Sequence, residues 1–172
     1  MAADVTNSIR LAKGITSEID AVLGPPETGL PSERQLVVPM SLVRGTRGYI
    51  EKVANQINGT YEHGWYDASA VMIRRLLETL IIEAFEAHKI ADRIKGPSGD
   101  FLFLRDMIEK ALKEQTWNLG RNCKAALPRL KDVGDKSAHS RRFIAQVSDV
   151  QQLLPEIRVV VQELLFLAAL SK

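Results

Sequence analysis

The chain has 172 residues, 45% hydrophobic and 26% charged, with a formal net charge of +2. That length and mix fit one ordinary soluble domain with a core of its own, and exclude a disordered chain and a polycation. One cysteine excludes an intrachain disulfide and points to a reducing compartment. Cys123 with the scattered His63, His88 and His139 gives no zinc-ligand spacing, so neither metal nor cofactor is expected. No apolar run is long enough for a signal peptide or a membrane span, which makes the expected setting cytoplasmic and off the membrane.

In chain order, Val5, Ile9, Ala12, Ile15 (or Thr16), Ile19 and Val22 recur at three and four and predict an amphipathic helix, stopped by Gly24-Pro25-Pro26. A loop is expected over Gly24 to Pro31. Pro39 marks the apolar Leu36 to Pro39 as an edge or a loop entrance. A helix is expected over Gly48 to Ile57, ended by Asn58-Gly59. The domain division that follows is 1–40, an N-terminal helix and connector, and 41–172, a helical domain.

Trp65 to Ile90 predicts a long, strongly apolar helix, the most buried element of the fold. Ile73, Leu76, Leu77, Leu80 and Ala84 form its broad core face. A second seam runs Asp67, Val71, Arg74, Glu78, Ile81, Phe85, His88, with the alternating four-three spacing of helix-on-helix packing. Arg74 and Glu78 stand four apart. They form either an exposed helix-surface pair or a partly buried charged cluster.

Beyond the break at Lys95 to Gly99, a helix is expected over Phe101 to Glu114. Another runs from an Asn118 cap to Leu127, then a short turn from Pro128 to Gly134. The last helix starts near Ser148 and reaches Leu170, with a kink at Pro155. About six helices, with the N-terminal one extra, and no convincing strand pair give an all-α bundle.

Arg121 to Arg142 holds seven Lys and Arg against two acids. Arg121, Lys124, Lys131, Arg141 and Arg142 are therefore nucleic-acid-binding candidates, through weak and salt-sensitive phosphate contacts. His139 is either a turn-fixing histidine or an acid–base group.

Two segments together resemble a family. WYDASAVMIRRLLETLI, Trp65 to Ile81, has an aromatic and small residues ahead of an Arg-x-x-Leu-Glu helix. LKDVGDKSAH, Leu130 to His139, matches a turn of the form Arg-x-x-Gly-Asn-x-x-Ala-His. They resemble the HEPN-like superfamily, in its bacterial branch classed as a domain of unknown function and also found appended to restriction-modification subunits. The resemblance spans about Tyr49 to Ala168. It implies an all-α bundle, often dimeric, and a bacterial defence or restriction setting. Many members of the wider superfamily are metal-independent ribonucleases whose Arg precedes a His by four to six residues.

Here Lys131 stands where that pattern has Arg, seven residues lie between it and His139, and Asp135 replaces Asn. Three functions follow: a non-catalytic module for dimerisation or protein-partner binding; a ribonuclease using His139 with Lys131 or Arg74; or an RNA- or nucleotide-binding regulator. Coupling of the two motifs places Asp67, Arg74, Glu78, Gly134, Asp135 and His139 in one cluster. In it His139 is expected to pack structurally beside Arg74 and Glu78.

Overall fold

A computed structural model describes residues 2–23 and 35–171. Among them are eight α-helices: α1 (Ala2–Leu23), α2 (Met40–Val43), α3 (Gly48–Glu62), α4 (Tyr66–Ala87), α5 (Leu104–Lys113), α6 (Arg121–His139), α7 (Val147–Gln151) and α8 (Leu154–Leu167), with a 3-10 turn at Ala91–Ile94. The described residues contain no strand, only an isolated bridge between Lys95 and Phe101. The all-α helical bundle expected from the periodicities is the architecture observed.

The apolar face read on α4 is core: Ile73, Leu76, Leu77, Leu80 and Ala84 are all buried. α4 packs against α3, α5, α6, α7 and α8, and carries more buried residues than any other described helix. Burying a side chain such as Leu80 contributes about 2 kcal/mol, so the chain organises around this helix.

Several boundaries differ from the sequence expectation. α3 runs through Asn58-Gly59 to Glu62, because Asn58 is used sideways rather than as a stop. Its Oδ1 accepts the Val38 N–H and its Nδ2 donates to the Val38 carbonyl, each at 2.9 Å. That tie folds the 36–39 segment inward, with Val37 and Val38 buried. The stop falls instead at Gly64, whose φ of 77° is open to glycine at little cost.

α5 starts at Leu104, leaving Phe101 to Phe103 outside it. The expected helix end, proline restart and turn between Asn118 and Gly134 are one continuous α6 with Pro128 inside. The kink expected at Pro155 is absent. The chain breaks after α7, and Pro155 sits in the first turn of α8, where its missing donor is no loss. The start of α7 is fixed by a reciprocal pair of Gln146 and Asp149.

α1 forms as expected and ends at Leu23. The predicted Gly24 to Pro31 loop, and the side chains of Ile19 and Val22, lie outside the described residues. From Val5 to Glu18 every side chain of α1 is exposed. No helix among the described residues is long and apolar enough to cross a membrane.

Candidate functional site

The candidate site is the contact between α4 and α6. It exists because Gly134 has no side chain. A Cβ at that position would lie 2.6 Å from the Arg74 Cβ and 2.9 Å from the Ala70 carbonyl, closer than side chains can approach. The glycine thus sits inside a helix, at a cost of roughly 1 kcal/mol relative to alanine, and lets the two backbones meet. Sequence reasoning placed a turn there. The residue was right and its use was different.

One turn of α6 then delivers a charged cluster onto α4. The Arg74 Nε donates to Asp135 Oδ1 at 2.7 Å, and Lys131 Nζ donates to Asp135 Oδ2 at 2.5 Å. Side-chain exposures are 14% for Lys131, 27% for Arg74 and 32% for Asp135. The partly buried cluster is thus Arg74 with Asp135 and Lys131, the carboxylate bridging two cations, and not the Arg74–Glu78 pair that the spacing suggested.

Burial alone would push the Asp135 carboxyl up. The hydrogen bonds from Lys131 and Arg74 outweigh it and hold the group below the usual carboxylate range. Lys131 is raised, first by its hydrogen bond to Asp135. A lysine held protonated in this way cannot act as a base.

Glu78 is the weaker partner, 3.9 Å from Arg74 and more exposed. Asp67 serves the neighbouring segment, where its Oδ1 accepts the Ala145 N–H at 3.1 Å. Since residues 131–135 meet Arg74 while Ala145 reaches Asp67, α6 runs antiparallel to α4.

The structure does not bring His139 into this cluster. It ends α6 one turn beyond Asp135, is exposed, and has no hydrogen-bonding or charged partner among the described residues. Asp135 takes the place expected for it. The physical reason is axial position: four residues past Asp135, His139 stays near the same face of the continuous helix but sits about 6 Å further along the axis, at the exposed end of α6.

The nucleic-acid candidates are also dispersed. Arg121 and Lys124 lie in the first turn of α6, whereas Arg141 and Arg142 follow its last turn, roughly 28 Å away by helical rise. Lys131 between them is engaged by Asp135. Lys124 donates to Asn118 Oδ1 at 3.0 Å. Together they form two separate basic ends rather than one face.

Two further arrangements were missed by sequence reasoning. Glu83, 8% exposed, accepts the Tyr49 hydroxyl and faces Arg47 at 3.5 Å. Glu163 on α8 accepts the Gly120 N–H and so closes the start of α6. In both cases the partners stand more than thirty residues apart, and no local spacing signals them. The buried Cys123 thiol is pushed up to about 12, mainly by burial and also by Glu163, which makes it a poor nucleophile. No group of three or more His, Cys, Asp or Glu among the described residues could hold a metal.

The fold defines an all-α helical bundle. Comparison with protein-family models, curated proteins and solved structures returns no match. The HEPN-like resemblance therefore rests on the two motifs themselves.

Proposed function

We propose that this protein is a non-catalytic helical module that works by binding a second copy of itself or a protein partner. The setting is the one its HEPN-like resemblance implies, bacterial defence or restriction. The observation that supports the reading is the apolar stripe of α1. Val5, Ile9 and Ile15 are 59, 52 and 50% exposed, and helices in proteins take most of their stability from packing such an apolar face. The cluster between α4 and α6 supports it from the other side. Lys131 and Arg74 are spent on Asp135, which leaves neither free for acid–base work.

The test is light scattering on the full chain and on an Ile9→Asp, Ile15→Asp variant. A dimer that the variant splits supports self-association. A parent chain that is monomeric, and that crosslinks to no protein in its own cell extract through α1, overturns the reading.

The exposed His139, beside Arg141 and Arg142 with no charged partner among the described residues, favours a second reading: a metal-independent ribonuclease with a degenerate motif. Cleavage of RNA in the presence of a chelator, abolished by His139→Ala, would establish it in place of the first. An RNA-binding regulator without cleavage would instead show salt-sensitive RNA binding that His139→Ala leaves intact.

A further inference from the structure

We propose that the turn after α6 is a docking surface for an acidic polypeptide segment, gripped by Arg141 and Arg142 and anchored on Ile144. The proposal deepens the binding reading above by giving a partner chemistry, at a surface separate from α1.

The turn is built rather than loose. The Ser140 N–H donates to the Lys136 carbonyl at 2.9 Å. Its hydroxyl oxygen accepts the N–H groups of Phe143 at 3.2 Å and of Arg142 at 3.4 Å. Phe143 packs against the core. Two residues on, the Ala145 N–H is held by Asp67 of α4. A turn fixed at both ends has little conformational freedom left to lose on binding, which favours recognition.

What this turn presents is positive and unpaired. Lys136, Arg141 and Arg142 are all exposed, and none has a charged partner among the described residues. The contrast is with Arg74, Arg93 and Arg129, each placed against a carboxylate within 2.7 Å. The carbonyl end of α6 contributes roughly half a negative charge, and the cations outnumber it. Guanidinium forks match carboxylates two bonds at a time. Between these charges and α7, Ile144 stands 57% exposed, an aliphatic contact of the kind an amphipathic peptide covers.

A polypeptide fits this surface better than a nucleic acid. The basic groups are confined to one short turn, with Arg121 and Lys124 at the far end of α6, so no continuous track follows a phosphate backbone. Phe143, the aromatic ring of the turn, is packed on the core instead of offered to a base.

The experiment uses the full chain and two labelled probes read by fluorescence anisotropy: a short peptide alternating glutamate pairs with leucine, and an oligouridylate of equal charge. The peptide is expected to bind, more weakly as salt rises. Arg141→Glu with Arg142→Glu should lower its affinity on the order of tenfold or more, and Ile144→Ser should lower it by a smaller factor. The melting temperature of each variant, unchanged from the parent, shows that folding is not the cause. The α1 variant should bind the peptide normally, so a failure of self-association and a failure of this surface are read separately. Oligouridylate bound as tightly as the peptide or more so, peptide binding that survives the double reversal, or no peptide binding at all would each overturn the proposal.

Discussion

α1 and the contact between α4 and α6 are both helical surfaces with a glycine near the middle, and they behave in opposite ways. At Gly134 a methyl group would collide with Arg74 and Ala70, whereas one added at Gly14 would meet no other part of the described residues within 4 Å. One glycine is the condition for two backbones to touch. The other only lowers the helix propensity of an exposed element. The comparison shows that a residue's worth is set by what faces it, and that the fold and the proposed binding surface draw on different physics. The interior is close-packed and intolerant; α1 is open and adjustable.

The largest expected break in that contrast is Leu80→Ala. Removing a fully buried side chain from the centre of the bundle should cost about 2–5 kcal/mol, while Ile9→Ala should leave the global melt unmoved. Chemical denaturation of both variants checks this, and equal losses would mean that α1 is part of the cooperative core.

The glycine pair comes next. Gly134→Ala should destabilise by about 1–3 kcal/mol through overpacking, less whatever the better helix propensity returns. Gly14→Ala should raise the helicity of α1, with a gain of about 0.5–1 kcal/mol in that element. Melting curves should show Gly134→Ala lowered and Gly14→Ala unmoved, while circular dichroism shows more helix in Gly14→Ala.

Asp135→Asn should cost about 1–2 kcal/mol, because it leaves Arg74 and Lys131 half-buried without their anion, in a site that is still partly screened by solvent. The folded Asp135 lies below its ordinary 3.8 and the folded Lys131 above its ordinary 10.5. The depressed acid therefore stabilises fully above 3.8, and that contribution fades as pH falls through the folded value. The raised base stabilises fully below 10.5, and its contribution fades as pH rises through its folded value. The difference in stability between parent and variant should be flat through neutrality and shrink at both extremes. A difference that grows in acid would refute the assignment.

Smallest is Glu78→Ala, at a few tenths of a kcal/mol. Its carboxylate is 3.9 Å from Arg74, and a better acceptor, Asp135, is already in place. A loss near that of Asp135→Asn would restore Glu78 as the anchor of the cluster.

How far the sequence could be read follows the same division. The core face of α4 was legible because five apolar residues repeat at helical spacing, and burial of that stripe is what folding rewards. Arg74, Gly134 and Asp135 were legible as belonging together, through the paired motifs. Their geometry was not. Gly-Asp reads locally as a turn, and only the arrival of α4 makes a continuous helix the better use of Gly134. The same applied to Asn58-Gly59, where a tie to Val38 overrides a local stop signal. His139 was misplaced as a direct result, since a continuous α6 sets it a full turn past Asp135, at the helix's exposed end. Tyr49 with Glu83, and Gly120 with Glu163, could not be foreseen from spacing at all.

One feature of α4 makes its unfolding observable without a label. The chain has two tryptophans, and they stand at opposite ends of this helix. Trp65 directly precedes it, stacked on His63 with 5.4 Å between ring centroids. Trp117 reaches the other end, edge-on to Phe85 at 4.8 Å and to His88 at 5.0 Å, with its Nε1–H donated to the Ala111 carbonyl at 3.1 Å. The intrinsic emission of Trp65→Phe therefore reports one end of α4, and that of Trp117→Phe the other. Coincident transitions in the two proteins would mark the bundle as a single cooperative unit. α1, which has no indole, would pass through its own melting unseen by either.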